Sequence, residues 1–285
     1  MNCLSLNLFN LENYSVEAPS QFKGLAIGVV LAAGMGKRMN SHLPKVAHLL
    51  FGKPLVIWAI ESLIKADVKK LVVVISPAQK IVEQIIAERS FQENIQIKFA
   101  YQENPLGTGH AARCGVEVAR HSFSKEIDEN LNAKILIAYG DTPAVEGETF
   151  RDFLNYHSAQ NHSFTVLAFL AKNPFGYGRI LTDKNNNFLA IHEEKDCNDE
   201  EKKINLCNSG FLCANFSDIE NILPQLKNDN SAKEFYLTDA PFISRSSGKK
   251  VGYMIGEDES EFLGINSQEQ LAEMEIRFQK KYNTK

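Results

Sequence analysis

The sequence is poor in the features that mark several large classes of protein. Its 285 residues hold five cysteines (Cys3, Cys114, Cys197, Cys207 and Cys213), an odd number without a C-x-x-C pair. That argues against a disulfide framework or a zinc knuckle, and points to small apolar side chains in a reducing cytoplasm. No apolar run approaches the ~20 residues of a membrane helix. From Met1 to Phe22 there is no Lys or Arg, while Glu12 and Glu17 are present, so the charged start of a secretory signal is missing. The Asn, Ser and Leu mixture there reads as a flexible extension over residues 1–24. A basic surplus is also lacking. With 31 Lys and Arg against 35 Asp and Glu, the net charge of −4 gives no bulk field toward nucleic acid or anionic lipid. None of the seven histidines stands in an H-E-x-x-H pattern, and the P-loop pattern G-x-x-x-x-G-K-[ST] is absent. There is neither an internal repeat nor a Pro/Ser-rich linker.

What is present is an ordinary globular composition, 44% hydrophobic and 23% charged, in a chain that allows one large domain or two intimately packed ones. Short apolar runs at residues 25–33, 71–75, 95–101 and 134–139 read as strands. Residues 54–66, 78–89 and 108–120 read as helices; in the first, Leu55, Ile60, Leu63 and Ile64 recur at helical spacing behind an early proline. Apolar strands between helices predict a mostly parallel sheet covered on both faces, an α/β fold of the doubly wound kind. After about Val145 the pattern shifts to strands at 163–170, 178–182, 188–193 and 210–214 with turn residues between them. That predicts an added antiparallel region placed over a ligand. Residues 267–282 read as a closing helix with Leu271, Met274 and Phe278 on one side. The expected division is an extension at 1–24, the main domain at 25–250, and a C-terminal strand and helix at 251–285 packed on that domain.

The strongest motif is V-V-L-A-A-G-M-G-K-R-M at residues 29–39, continued by L-P-K at 43–45. A buried strand ends in two glycines, whose size lets backbone N–H groups approach a polyphosphate. Lys37, Arg38 and Lys45 add charge at the same mouth, and Arg can clamp a phosphate through two parallel bonds. The dinucleotide fingerprint would need glycine where Met39 stands. A purely structural strand–turn–helix fits a bare G-x-G; the cations and the Pro44-Lys45 pair favour phosphate binding.

Two further segments carry chemistry. I-L-I-A-Y-G-D at 135–141 is an apolar strand ending in Gly140-Asp141, and ligands in such sheets lie beyond the carboxyl ends of the strands. A carboxylate there suits Mg²⁺, which shares phosphate oxygens with the protein; the plainer reading is an Asp that opens a turn before Thr142-Pro143. Q-E-N-P-L-G-T-G-H-A at 102–111 joins a strand to a helix, and Gln102 can both donate to and accept from a base edge.

Together these segments resemble the uridylyltransferase domain of the bacterial bifunctional N-acetylglucosamine-1-phosphate uridyltransferase/glucosamine-1-phosphate acetyltransferase family, over roughly residues 28–282. The anchors are L-A-A-G-M-G-K-R-M…L-P-K, Y-Q-E-N-P-L-G-T-G-H-A, Y-G-D-T-P, G-Y-G-R-I, H-E-E-K-D, C-N-S-G-F, E-F-Y-L-T-D and G-I-N. The first is common to sugar nucleotidyltransferases; the G-T-G-H-A, G-Y-G-R-I and E-x-K-D set is more specific. The resemblance implies a Rossmann-like mixed sheet of the nucleotide-diphospho-sugar transferase type with an added sugar-binding region. It implies that Leu31, Ala32, Ala33 and Gly34 bracket the nucleotide, with Arg38 and Lys45 on its phosphates. Gln102, Gly107 and Thr108 would read the uracil and ribose, and Tyr139 and Gly140 would line the site. Asp141 and Asn266 would hold Mg²⁺. Gly178, Glu193 and Asn208 would hold the N-acetylhexosamine, with Tyr236 and Thr238 near its phosphate.

Three departures stand out. Lys37 occupies the place of the usual Thr, Glu194 that of the His common in E-H-K-D, and the C-terminal hexapeptide-repeat domain is missing. Acetyltransferase activity and the trimer built by that domain are therefore not expected. The implied reaction joins UTP to N-acetylglucosamine 1-phosphate and releases pyrophosphate, with Mg²⁺ as cofactor and small molecules as the partners. A UTP- or dTTP-dependent enzyme for another hexose 1-phosphate, or a catalytically silent nucleotide-sugar-binding module, are the alternatives.

Overall fold

A computed structural model describes residues 21–283. Cys3 and residues 1–20 of the expected extension lie outside that range. At its start, the Phe22 backbone N–H donates to Asn155 Oδ1 at 2.7 Å, and the Phe22 ring packs on the core.

The first strand, β1 (Ala26–Leu31), is followed by a loop and a two-residue ribbon, β2 (Leu49–Leu50) with β3 (Lys53–Pro54). Helix α1 (Leu55–Lys65) starts directly behind Pro54, whose fixed φ suits a helix entry. Then come β4 (Lys70–Ile75), α2 (Lys80–Ala87), β5 (Gln96–Tyr101), α3 (Thr108–Ser122), α4 (Ser124–Glu129) and β6 (Lys134–Tyr139). Strands β1, β4, β5 and β6 pair in parallel. The apolar runs in β1, β4 and β6 are buried because both faces of the sheet are covered. Successive residues serve opposite layers: Val29 and Leu31 pack with Ala112, Val116 and Ala119 of α3, while Val30 and Ala32 pack with Val56, Ile60 and Leu63 of α1.

The second half contains the four strands expected from the sequence, together with elements that were not expected. Helix α5 (Gly147–Ala159) is unanticipated; it buries Phe150, Phe153, Leu154 and His157, spaced for one helical face. Strand β7 (Phe164–Leu170) precedes a ribbon of β8 (Arg179–Thr182) and β9 (Phe188–His192). Next are β10 (Leu206–Asn215), α6 (Phe216–Ile222), α7 (Asp239–Ser246), β11 (Val251–Ile255) and α8 (Gln268–Asn283). The sheet order is β11-β7-β10-β6-β1-β4-β5, and β8–β9 hangs from β10. Among the described strands on that path, only β10 runs against its neighbours. The antiparallel region therefore lengthens the main sheet, with the β8–β9 ribbon as its outlying part. A smaller cluster of Leu50, Leu55, Ile265, Met274 and Phe278 seats α8 against the β2–β3 ribbon. Cys197, Cys207 and Cys213 are buried and Cys114 half-buried, all as free thiols. Among the described residues no helix is long and apolar enough to cross a membrane.

The opposite end of the sheet holds a buried polar knot. The Thr165 hydroxyl lies 2.8 Å from His157 Nδ1 and 3.0 Å from His162 Nδ1. One hydroxyl can donate to one ring and accept from the other, which requires the accepting Nδ1 to be unprotonated. Burial, with the Lys134 charge adding, pushes His157 down to about 3. Burial, with Lys250, pushes His162 down to about 4. The unfolded chain, with histidines near 6.5, binds more protons than the folded one between these values. Stability from the pair is thus complete above pH 6.5 and is lost as pH falls toward 4, about 2 kcal/mol per histidine at pH 5. Thermal unfolding followed from pH 7.5 to 5 should show this loss, and His157→Gln should flatten the slope. An unchanged slope in that variant would remove His157 from the linkage.

Candidate active site

The carboxyl ends of β1, β5 and β6 open on one cleft of about 270 Å³. Leu31, Ala32, Ala33 and Gly34 form one wall as they leave β1; Gln102, Gly107 and Thr108 form another, and Tyr139, Asp141 and Lys45 close the base. Ten of the residues expected from the sequence thus come together. Gly140 sits directly behind, its N–H bonded to Leu31 O at 3.0 Å.

The loop after β1 owes its path to glycine. Gly36 has φ of +59°, and a Cβ there would stand 2.5 Å from Lys45 Cβ, so the loop closes over the lysine stem only without a side chain. A Cβ at Gly34 would meet no protein atom within 4 Å, so packing does not demand that glycine. The open space suits approach of a ligand to the backbone. Buried Gln79 steadies this turn by donating from Nε2 to Gly34 O at 3.2 Å. Arg38 lies in the short 3-10 turn Lys37–Met39, exposed at the rim and outside the lining of the cleft.

Lys45 is the junction of the site. Its ammonium donates to Asp141 Oδ2 in a partly buried ion pair and to Asn266 Oδ1 at 2.9 Å. Ile265 N–H bonds Asp141 O at 2.9 Å, which brings the loop before α8 against the end of β6. Among the described residues no group of three or more His, Cys, Asp or Glu side chains gathers for a metal. The donors at Lys45 nevertheless fit a hard cation: one carboxylate oxygen and one amide oxygen converge on a single positive charge. Asp141 and Asn266 are thus the residues present that could hold such an ion, which takes oxygen donors of this kind.

A second cluster adjoins Tyr139. Glu193, at the end of β9, accepts from Thr238 Oγ1 at 2.8 Å, and burial raises its carboxyl above the usual range, against the lowering effect of that bond. Burial also raises the Tyr139 phenol, with the negative charges of Glu193 and Asp141 adding to it. Asn208 is buried on β10; its N–H bonds Gly178 O at 2.9 Å, and its Oδ1 accepts from Gly210 N–H at 3.0 Å. Gly178 faces Glu193 Oε2, which would be 3.5 Å from a Cβ there. Tyr236 lies further out, beside Ser231 and Asp196. Glu194 is not a free charge: its Oε2 pairs with the buried Arg179 guanidinium at 2.7 Å and accepts from Gly176 N–H at 3.2 Å.

Sequence reasoning passed over Gln79, Glu234 and His110. Glu234 lines the cleft from a loop whose composition marks it only as polar. His110 stands under Gln102 inside a motif read for its glycines. The i+8 spacing from Gln102, with α3 turning back on β5, was the available clue.

A doubly wound sheet with a glycine loop, a lysine–carboxylate junction and a polar pocket at its carboxyl edge defines an α/β nucleotidyltransferase domain. The family model described as the MobA-like NTP transferase domain matches residues 28–196, and the chain belongs to that family. It is similar to the "Bifunctional protein GlmU" of Caldanaerobacter subterraneus subsp. tengcongensis, 37% identical over 259 residues, covering 91% of this chain and 53% of that protein. The "Bifunctional protein GlmU" of Clostridium botulinum (strain Kyoto / Type A2) is 37% identical over 257 residues, 90% of this chain and 53% of that protein. That of Acetivibrio thermocellus is 39% identical over 247 residues, 87% and 50%. The chain spans about half the length of these curated relatives.

Gly107 offers a test of the architecture of the cleft. Its φ is +107°, and a Cβ would fall 2.6 Å from Phe235 O, where backbone cannot give way. Gly107→Ala should destabilise the fold by about 1–3 kcal/mol in urea unfolding. An unchanged midpoint would show that the 103–107 turn is free to relax.

Proposed function

We propose that the protein joins UTP to N-acetylglucosamine 1-phosphate, giving UDP-N-acetylglucosamine and pyrophosphate. The observation that carries this reading is the junction of Lys45 with Asp141 and Asn266 in the cleft, close to the cluster of Glu193 and Asn208. The nucleotide side would be the walls at 31–34 and at Gln102, Gly107 and Thr108. The sugar side would be Gly178, Glu193 and Asn208, with Thr238 held to Glu193; Tyr236 takes a place nearer the rim. The motifs read from the sequence support the uridine and N-acetylhexosamine assignments. The main domain at 25–250, closed by the strand and helix at 251–285, would act in the cytoplasm on small molecules alone.

The reacting oxygen of a sugar 1-phosphate is ionised near neutral pH, so the site needs no general base. That oxygen attacks the α-phosphorus of UTP in line, the bond to the bridging α–β oxygen breaks, and its electron pair leaves with pyrophosphate. Asp141 and Asn266 would hold Mg²⁺, which when bound supplies Lewis-acid neutralisation of phosphate charge. Lys45 exchanges its two protein partners for phosphate oxygens, and Arg38 reaches in from the rim to the departing pyrophosphate. Glu193 accepts hydrogen bonds from sugar hydroxyls, and the walls at 31–34 and 107–108 fix the nucleotide for in-line geometry.

Pyrophosphate release with UTP, N-acetylglucosamine 1-phosphate and Mg²⁺ tests the reading. Lys45→Ala should cost on the order of 2 kcal/mol or more in kcat/KM, and Asp141→Ala roughly 10²-fold or more. Full turnover in Asp141→Ala would take that carboxylate out of the reaction. A clear preference for glucose 1-phosphate or dTTP in the same assay would overturn the substrate assignment.

A further inference from the structure

The amide of Gln102 is held in one orientation by two neighbours, and one of them belongs to no part of the mechanism above. Gln102 follows β5, its N–H bonded to Ile75 O at 2.8 Å, and its buried side chain forms part of the cleft wall. Nε2 lies 3.1 Å from Gly107 O and 3.1 Å from His110 Nδ1. A backbone carbonyl only accepts, so the atom facing Gly107 has to be the amide nitrogen. Turning the amide over would set two carbonyl oxygens against each other. With one hydrogen given to Gly107 O, the second goes to His110 Nδ1. That nitrogen must then be unprotonated, and the ring proton sits on Nε2, on the side of Cys114 Sγ at 4.0 Å. Burial, with the Arg113 charge adding, holds the imidazole below its ordinary range against the raising effect of a hydrogen bond to the Asn104 backbone, so the ring is neutral, with one nitrogen left to donate and the other to accept.

Both amide hydrogens are thereby spent, and Oε1 takes no hydrogen bond from a donor among the described residues. It is the atom left for a ligand, and it can only accept. A pyrimidine with a ring N3–H, such as uracil or thymine, meets it as a donor. Cytosine presents a lone pair at the same position and is repelled. A site built around such a bond discriminates far better than one built on shape, because the mismatched base leaves a buried polar atom unpaired.

We infer that His110 is a positioning residue for base selection: its Nδ1 fixes the Gln102 amide with the oxygen toward the cleft, so that the site takes a pyrimidine bearing N3–H and turns cytosine away. The inference rests on the reading of Gln102 as the base-contacting side chain. It goes beyond that reading by naming the residue that sets the direction of the bond.

The experiment compares kcat/KM for UTP and CTP in the full chain, in His110→Leu and in Gln102→Leu, with KM for the sugar 1-phosphate as a control. His110→Leu keeps bulk and removes the acceptor. It should lower the UTP-over-CTP ratio by roughly tenfold or more, while KM for the sugar phosphate stays within about twofold. Gln102→Leu should lower the ratio at least as far. If the ratio is unchanged in Gln102→Leu, the base-reading role of Gln102 fails and takes this inference with it. If Gln102→Leu lowers it and His110→Leu does not, only the role of His110 is overturned. A measurement on the unmutated protein stands apart from the folding of any variant: ¹⁵N NMR of His110 should find Nδ1 unprotonated and Nε2 carrying the proton. A proton on Nδ1 would overturn the assignment.

Discussion

One ammonium group ties together three stretches of chain that are remote in sequence. Lys45 reaches Asp141, 96 positions away, and Asn266, 221 positions away, so the glycine loop, the end of β6 and the approach to α8 share a single charge. Neither member of the ion pair is freely solvated, with side chains 11% and 17% exposed. In such surroundings a lone charge is far costlier than a paired one. The pairing therefore decides where the loop can lie, and Gly36 permits the loop to fold over the lysine stem. Ligand binding on the proposed reading is an exchange of partners on a cation already in place. That costs less reorganisation than ordering a free lysine from solvent.

The second constraint is topological. Strands β5, β4, β1 and β6 run the same way and deliver their carboxyl ends to one edge. A further parallel strand would have brought its own carboxyl end there. β10 enters in the opposite sense, so its beginning, with Asn208, lies at that edge beside Tyr139. The register shift between Asn208 and Leu212 breaks the ladder there. Asn208 Oδ1 takes up the Gly210 N–H, and the β8–β9 ribbon can hang from the same strand with Glu193 at its end. One reversed strand thus sets a second polar cluster beside the cleft.

Much of this was legible in the sequence, for reasons that can be named. The buried strands announce themselves because both faces are covered, leaving continuous runs such as L-V-V-V-I with nothing polar to confuse the period. The glycine loop after β1 stood out because two glycines and three cations fall in a short span behind a buried strand. Helix α5 was missed although Phe150, Phe153, Leu154 and His157 recur at helical spacing, since its Gly, Thr, Asn and aromatic residues are poor helix formers. Packing supplies what propensity lacks. The full length of β10 was hidden because Asn208 passes for a turn residue and the apolar run begins only at Gly210; residues 208–210 form the irregular middle of the strand. The ties of Lys45 to Asn266, of Glu193 to Thr238 and of Glu194 to Arg179 join distant segments. The family resemblance pointed to some of these residues, but nothing in local pattern gives their partners.

On the proposed reading, the charges around the cleft bear on the form in which a nucleotide would enter it. The chain carries a net charge of −4, and the cleft itself is lined by Asp141 and Glu234, with buried Glu193 close to Tyr139. Lys45 is offset by Asp141, so at rest it contributes little field toward the entrance, and Arg38 stands at the rim rather than in the lining. A bare triphosphate would approach two carboxylates with only partial compensation. On the proposed reading, Asp141 and Asn266 would hold the divalent cation that accompanies a triphosphate, a charge that would leave the Lys45 ammonium for phosphate. The residues that look least favourable for anion binding would then, on that reading, be the ones that favour a metal-bound nucleotide.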